Sequence, residues 1–102
     1  MEYKLSLAVE AHYDIEKTTL YISSKNPAAA TRVVARIFKA LDNIRINPKI
    51  GGSAAERFNV ETDSLYFVVL PYSYIIFYNI VGQEIRVNRV LDSRRDCISV
   101  LG

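Results

Sequence analysis

The sequence predicts an α+β domain with the element order β-α-α-β-β-β, in which a helical hairpin packs on one face of a small, mostly antiparallel sheet. Apolar residues alternate with polar ones at the start of the chain and then recur at helical spacing in two stretches. Three strand-like runs follow, and only Leu70-Pro71 and Val81-Gly82-Gln83 separate them. Helices and strands that fall in separate blocks of the chain are typical of this class. At 102 residues the chain is expected to form a single domain, residues 1–102.

The first strand and the first helix are predicted from a change of period near Val9. Before it, Tyr3, Leu5 and Leu7 alternate on one side of an extended segment. After it, apolar or small residues recur at three- and four-residue steps as far as Ile22. The side chains expected on the outward face of this helix are Glu10, Asp14, Glu16 and Lys17.

The second helix has the clearer boundaries. Asn26 can cap its first turn, and Pro27 suits the first helical position, where an N–H is not needed. Asn47 precedes Pro48 and therefore avoids helical angles, which ends the helix. The residues expected to face the core are Ala30, Val33 or Val34, Ile37, Leu41 and Ile44.

The remainder of the chain is predicted to be a loop and three strands. The loop runs from Gly51-Gly52 to about Asp63. Residues 64–70 and 74–80 are rich in β-branched and aromatic side chains, and residues 84–91 alternate more visibly. Gly82 can supply the positive φ of a tight hairpin turn between the last two strands.

Composition excludes several classes of protein. Half of the residues are apolar and 24% are charged, which is typical of a globular domain. The apolar runs are far shorter than a membrane span, and no secretory signal pattern is visible, so we expect a cytoplasmic protein without a membrane partner. Cys97 is the only cysteine, which precludes an internal disulfide. Together with the only histidine, His12, it cannot form a zinc site, and no cofactor is implied.

The middle strands are apolar on both sides, which predicts a partner. A hairpin of two helices covers one face of a sheet, so the other face should alternate with polar residues. If even four large apolar side chains on that face stayed in water, the fold would lose roughly 6–12 kcal/mol of the free energy that their burial would contribute. The alternative is that the N-terminal segment and the loop at residues 47–63 cover this face internally. The candidates for a partner-binding surface are Tyr66, Val68, Leu70, Tyr74, Ile76 and Tyr78.

Every basic residue after Lys49 is an arginine, and these residues are candidates for binding a target or a phosphate: Arg57, Arg86, Arg89, Arg94 and Arg95. The guanidinium group offers a planar fork of donors that suits phosphate or carboxylate. Four of them are expected to cluster around the end of the last strand. The alternative is a structural role, in which Arg94 and Arg95 form a solvated, ion-paired turn with neighbouring aspartates, and Arg89 closes off the core.

Four patterns, in order along nearly the whole chain, resemble the ParE/RelE toxin superfamily and, within it, the ParE-like branch. They are D-I-x-x-x-x-x-Y-I at residues 14–22, the NPAAA helix start, P-x-x-G at residues 48–51, and a closing hairpin that reads LP-Y-x-YIIFY-x-I and then I-x-V-x-RVLD-x-RRD. The order and spacing of the patterns carry the resemblance.

The resemblance implies the toxin of a type II toxin–antitoxin module of the plasmid stabilisation type. Such a toxin is held inactive by a cognate antitoxin that folds along it, so the six candidates above and the exposed side of the helical hairpin are expected to form the antitoxin groove. ParE-like toxins bind DNA gyrase and trap it on cleaved DNA, without catalytic residues of their own. Direct sequence-specific DNA binding is not expected.

Two alternatives to gyrase inhibition stay open. RelE-like relatives cut messenger RNA on the ribosome, and active members commonly bring a Tyr or His near the C-terminus together with cationic groups from the sheet. The tail that follows the last strand here has neither residue, so the catalytic residues of such an enzyme are unknown. Asp92 stands where many ParE-like relatives carry His. The second alternative is a non-toxic relative that is retained as a binding partner.

Overall fold

The computed structural model describes residues 3–96 and confirms the predicted α+β class. Its strands are β1 (Lys4–Leu7), β2 (Gly52–Ser53), β3 (Leu65–Val69), β4 (Tyr74–Val81) and β5 (Glu84–Asp92). Its helices are α1 (Val9–Ser23), α2 (Pro27–Ile46) and α3 (Ala54–Phe58), and a 3-10 turn spans Pro48–Ile50. Two elements, β2 and α3, lie in the segment for which the sequence predicted a loop.

The five strands form one sheet in the order β1-β5-β4-β3-β2. β1 runs parallel to β5, and the other pairs are antiparallel. Gly82 makes the β4–β5 turn with a φ of 62°, as predicted. The register of this pair shifts between Phe77 and Tyr78, which leaves Asn88 on β5 as the extra residue of a β-bulge.

The helical hairpin packs on one side of the sheet, which we call the inner face. The side chain of Asn26 accepts a hydrogen bond from the Ala29 N–H, so the predicted cap is confirmed. The apolar stripe of α2 is buried as predicted, through Val33, Ile37 and Ile44.

Tyr74, Ile76 and Tyr78 lie on the inner face and are buried in the core under the helices. This placement corrects the expectation that they share a partner surface with Tyr66 and Val68. Side chains alternate along a strand, and these strands are apolar on both sides, so the pattern could not tell which set the helices cover.

The opposite side of the sheet, which we call the outer face, is covered at one end by the chain itself. Phe58 of α3 packs edge-on against Tyr66, at 5.3 Å between ring centroids, and against Phe77, at 5.6 Å. Ile75 and Leu91 complete this second cluster. The alternative in which the loop covers the sheet is therefore the one found here, and no partner is needed to bury this end.

The other end of the outer face is polar. Asn88 of the bulge donates to the side-chain oxygen of Asn79 and to the Ser64 hydroxyl, which in turn donates to Asn79. The large apolar groups expected on the outer face are therefore confined to the end that Phe58 covers. β4 and β5 change from apolar to polar side chains along their length, and this change lets half of the outer face remain in water.

A buried hydroxyl holds the loop that carries α3. Tyr78 donates to the carbonyl oxygen of Pro48 at 2.7 Å and accepts from the Gly51 N–H at 3.0 Å. Burial raises the pKa of the Tyr78 hydroxyl, so it remains protonated and able to donate. A β-carbon on Gly51 would lie 2.5 Å from this hydroxyl oxygen, so glycine is required for the close approach.

A buried carboxylate closes the open edge of β5. β1 pairs with β5 only as far as Val87, and beyond it the carboxylate of Asp14 on α1 takes over. This carboxylate accepts from the Val90 N–H at 3.0 Å, and from Nε and Nη2 of Arg89 at 2.8 and 3.0 Å. These hydrogen bonds to Asp14 raise the pKa of Arg89. Asp14 was expected to point outward and instead lies in the core.

We expect Phe58→Ala to destabilise the fold by about 2 kcal/mol, because it uncovers the outer-face cluster and leaves a partial cavity. The measurement is urea unfolding, together with the binding of a hydrophobic dye to the folded protein. Phe38→Ala is the control, since Phe38 is half exposed on α2 and outside both core clusters. Equal stability and equal dye binding for the two variants would mean that α3 does not cover the sheet.

We expect Arg89→Ala to lower the free energy of unfolding by about 2–3 kcal/mol, because it leaves the buried Asp14 carboxylate without its cation. Arg86→Ala on the same strand removes only the exposed pair with Glu84, and we expect a loss below about 1 kcal/mol. Thermal and urea unfolding of both variants measure the difference. Similar losses in the two would show that Asp14 does not depend on Arg89.

Candidate functional site

A tight turn after β5 holds Arg94 and Arg95 in place. The Asp92 carboxylate, only 2% exposed, accepts from the Ser73 hydroxyl at 2.7 Å, from the Arg94 N–H at 2.9 Å and from Nε of Arg95 at 2.9 Å. The carboxylate of Asp96 accepts from the Asp92 N–H at 2.7 Å. The turn is thus fixed by its own side chains.

Asp92 remains ionised far into the acid range. Burial by itself raises the pKa of this carboxyl, but hydrogen bonds from Ser73, Arg95 and the Arg94 N–H outweigh it and lower the pKa to about 2. The negative charge that orients the two arginines is therefore constant at physiological pH.

The two guanidinium groups lie beside a cavity of about 430 Å³, where the end of α1 and the start of α2 meet the turn after β5. Arg95 stacks 4.5 Å from the ring centroid of Tyr21. Arg94 donates from Nε to the Ser73 hydroxyl at 2.9 Å, and its side chain is 77% exposed. We call this cavity the arginine pocket, and it is lined by Tyr21, Ile22, Val33, Tyr72, Tyr74, Asp92, Arg94 and Arg95.

The other candidate arginines lie elsewhere, so the predicted cluster is divided. Arg86 is at the opposite end of β5 and pairs with Glu84 at 2.8 Å. Arg89 is held by Asp14, which matches the alternative of a structural role. Arg57 is exposed on α3 and stacks on Phe58 at 5.3 Å. Only Arg94 and Arg95 share a cavity.

A second surface runs along the edge of β3. β2 pairs only with Leu65 and Tyr66, so within residues 3–96 the rest of this edge has no strand partner. A groove of about 170 Å³ lies between the edge and α2, and we call it the β3 groove. Val68 and Leu70 on its rim are 37% and 72% exposed. Its lining residues are Arg36, Lys39, Ala40, Asn43, Phe67, Val68, Val69 and Leu70.

Of the six candidates for the partner surface, only Val68 and Leu70 remain substantially exposed. Tyr66 is half-buried under Phe58, and the other three are core residues. The exposed side of the helical hairpin was also expected to bind a partner, although no residues on it were named; on α1 this side carries Val9, Tyr13 and Leu20 at helical spacing. That spacing was visible as a second apolar stripe, opposite to the core stripe.

The only histidine of the chain does not lie beside the arginine pocket. His12 lies on the exposed side of α1, 3.0 Å from Glu16, and lines a different cavity from the arginines. Burial and the Asp92 charge raise the pKa of Tyr74, although Arg95 opposes them. Within residues 3–96 no group of three or more His, Cys, Asp or Glu side chains could hold a metal, and Cys97 lies outside the described residues. No helix in this range is long and apolar enough to cross a membrane.

Asp92→Asn should remove stability that depends on pH. The pKa of Asp92 lies below its ordinary value, so the carboxylate stabilises the fold above that value and loses this effect as the pH falls toward about 2. We expect the variant to be about 2 kcal/mol less stable at neutral pH, with the difference shrinking in acid.

Urea unfolding at a series of pH values measures this difference. The control is Asp42→Asn, whose exposed carboxylate pairs with Arg45, and it should cost less than about 1 kcal/mol. A gap between wild type and Asp92→Asn that stays constant down to the acid limit would contradict the assignment.

Comparison with known proteins identifies the family. The model of a family described as the ParE toxin of the type II toxin–antitoxin system parDE matches residues 5–97. Among solved structures, the chain is similar to one from a chromosomal ParDE system of P. aeruginosa, with a TM-score of 0.70 at 16% identity over 87% of this chain and 94% of that one. That likeness shows the fold alone, and no curated protein matches. Because the family match spans most of the sequence, the chain belongs to the ParE toxin family of type II toxin–antitoxin systems, a family that implies an antitoxin partner.

Proposed function

We propose that this toxin inhibits DNA gyrase in the cytoplasm by direct, stoichiometric binding, and that a cognate antitoxin neutralises it. The observation that carries the proposal is the pair Arg94 and Arg95, which Asp92 holds in an ordered turn. Ordered guanidinium groups bind a partner at a lower entropic cost than mobile ones. They provide contacts and no chemistry, which suits a toxin that works by occupying its target.

The acid–base groups around the arginine pocket argue against cleavage of RNA. A general base works best when its pKa lies near the operating pH. The pKa of Asp92, about 2, makes it a weak base, and the raised pKa of Tyr74 keeps that hydroxyl protonated. The only histidine of the chain, His12, is on another surface.

One observation still favours the RelE-like alternative as a second candidate. Tyr72 lines the same pocket as Arg94 and Arg95, so a hydroxyl and two cations lie together there. A ribosome-bound message could in principle supply its phosphate to this pocket. The functional test must therefore include translation.

For the antitoxin, we propose the β3 groove together with the solvent side of the hairpin. The open edge of β3 can accept an added strand, and Leu70 and Val68 can be buried beneath it. Arg36 and Lys39 on the groove wall suit an acidic segment. A segment that folds only on binding favours such a long apolar path.

The two proposed surfaces are contiguous. Leu70 on the rim of the β3 groove is two residues from Tyr72 in the arginine pocket, and Arg36 on the groove wall is about one helical turn from Val33 in the pocket. An antitoxin segment that continues past Leu70 would therefore cover Arg94 and Arg95. Neutralisation then follows from competition for one surface.

The test adds purified toxin to gyrase with relaxed plasmid and, separately, to a cell-free translation reaction. We expect loss of supercoiling and accumulation of cleaved DNA, at a toxin concentration that leaves the translated message intact. The product of a neighbouring antitoxin reading frame should restore supercoiling near equimolar ratio.

Either of two results would overturn gyrase inhibition. Prompt cleavage of the message at preferred codon positions, with supercoiling unaffected, would establish the RelE-like alternative. No effect in either reaction, with the antitoxin still bound tightly, would identify a non-toxic relative.

A further inference from the structure

We infer that the arginine pocket binds a short acidic segment of the target, in which a carboxylate side chain lies next to an apolar one. This inference deepens the proposed function, because it names the chemistry by which gyrase would be recognised. The charges, the lining and the stacking contacts of the pocket support it.

The pocket carries more positive than negative charge. Its lining holds two cations, Arg94 and Arg95, and one carboxylate, that of Asp92, which is engaged within the turn. Outside the lining, Lys25 lies over the Tyr21 ring, and the Asp96 carboxylate accepts from the Asp92 N–H. Among the described residues the Arg94 side chain is held through its Nε, and at 77% exposure its guanidinium group is accessible to a ligand. A guanidinium group that is held in this way offers two parallel donors to an incoming carboxylate.

Part of the pocket lining is apolar. Ile22 of α1 and Tyr72 give the lining partly exposed apolar surface beside the buried Val33 and Tyr74, and the rings of Tyr72 and Tyr74 lie 6.3 Å apart between centroids. A free inorganic anion would leave this surface in contact with water. A carboxylate that is followed or preceded by an apolar side chain would satisfy both the cations and the apolar surface.

The aromatic rings of the pocket are poorly placed for nucleic acid. Binding of single strands depends on exposed rings on which successive bases stack. Tyr21 is already stacked with Arg95 at 4.5 Å and with Lys25 at 5.3 Å, and Tyr74 is buried. Tyr72 alone cannot form a platform for successive bases. The contacts therefore favour a protein carboxylate over a phosphate of DNA or RNA.

A peptide titration of the full chain, followed by NMR, tests the chemistry directly. The probes are acetyl-Leu-Glu-Leu-Glu-amide, the matched acetyl-Leu-Gln-Leu-Gln-amide, and a short oligothymidylate. We expect saturable shifts at Tyr21, Tyr72 and the side chains of Arg94 and Arg95 with the acidic peptide alone. Shifts with both peptides, with neither, or mainly with the oligonucleotide would overturn the inference.

A second measurement links the pocket to gyrase. Arg94→Ala should weaken gyrase binding by about tenfold, which is the loss of one charged hydrogen-bonded contact. Arg45→Ala is the matched control, because Arg45 is exposed in the last turn of α2, about 18 Å along the helix from Val33. We expect its affinity to be unchanged. Since Arg94 is exposed, neither variant should disturb folding.

The outcomes separate the two claims. If gyrase binds the wild type and Arg94→Ala equally well, the pocket is not the contact, and the inference fails while the proposed function stands. If the wild type does not bind gyrase but the acidic peptide still saturates the pocket, gyrase is not the protein that carries the acidic segment, and the proposed function fails. In that case the peptide chemistry is retained for another acidic partner.

Discussion

One constraint shapes the whole structure: a five-stranded sheet has two faces, and the single helical hairpin can cover only one of them. The apolar side chains on the other face must be shielded from water in another way. α1 and α2 cover the inner face. The outer face is divided between a small cluster under Phe58 and a polar network around Asn79 and Asn88. Because this division covers the apolar part of the outer face, most of the exposed large apolar groups occur at the β3 edge and on the solvent side of the helical hairpin. The β3 edge and the helical hairpin are therefore the surfaces that we propose for a partner.

Two buried polar contacts make this arrangement specific. The Tyr78 hydroxyl fixes the segment that leads from α2 to α3, and the Asp14 carboxylate fixes α1 against the free edge of β5. Each satisfies backbone groups that would otherwise be buried without a partner, which is costly. By fixing α1 relative to β5, Asp14 also sets the distance between Tyr21, near the end of that helix, and Arg95, beyond the end of that strand. The geometry of the arginine pocket therefore depends on a contact in the core.

The helices and the last three strands could be predicted because their periods and end signals are strong, as Asn26-Pro27 and Gly82 show. The position of α3 could not be predicted, because five residues are too few to show a helical period. Its N-cap, Ser53, is a serine, and serine is too common in loops to mark the start of a helix. The role of Asp14 was missed because a charged residue in an amphipathic helix is ordinarily at the surface. Which tyrosines face the helices was undecidable, because β3 and β4 are apolar on both sides. The arginines were found by composition, but only coordinates separate Arg89, which is held by Asp14, from Arg94.

The contiguity of the two surfaces bears on why an antitoxin would need to be long and extended. A compact partner that sat only on the hairpin would leave Arg94 and Arg95 free for the target. A partner that added a strand along β3 and then continued past Leu70 would bury an apolar rim and cover the cations in one path. The residues of the rim and those of the pocket come from neighbouring turns of α2 and from one short connection after β3, so one extended segment would be able to contact both. Neutralisation and target binding would then use the same ordered side chains, and the relative affinities and amounts of the two partners would decide which one is bound.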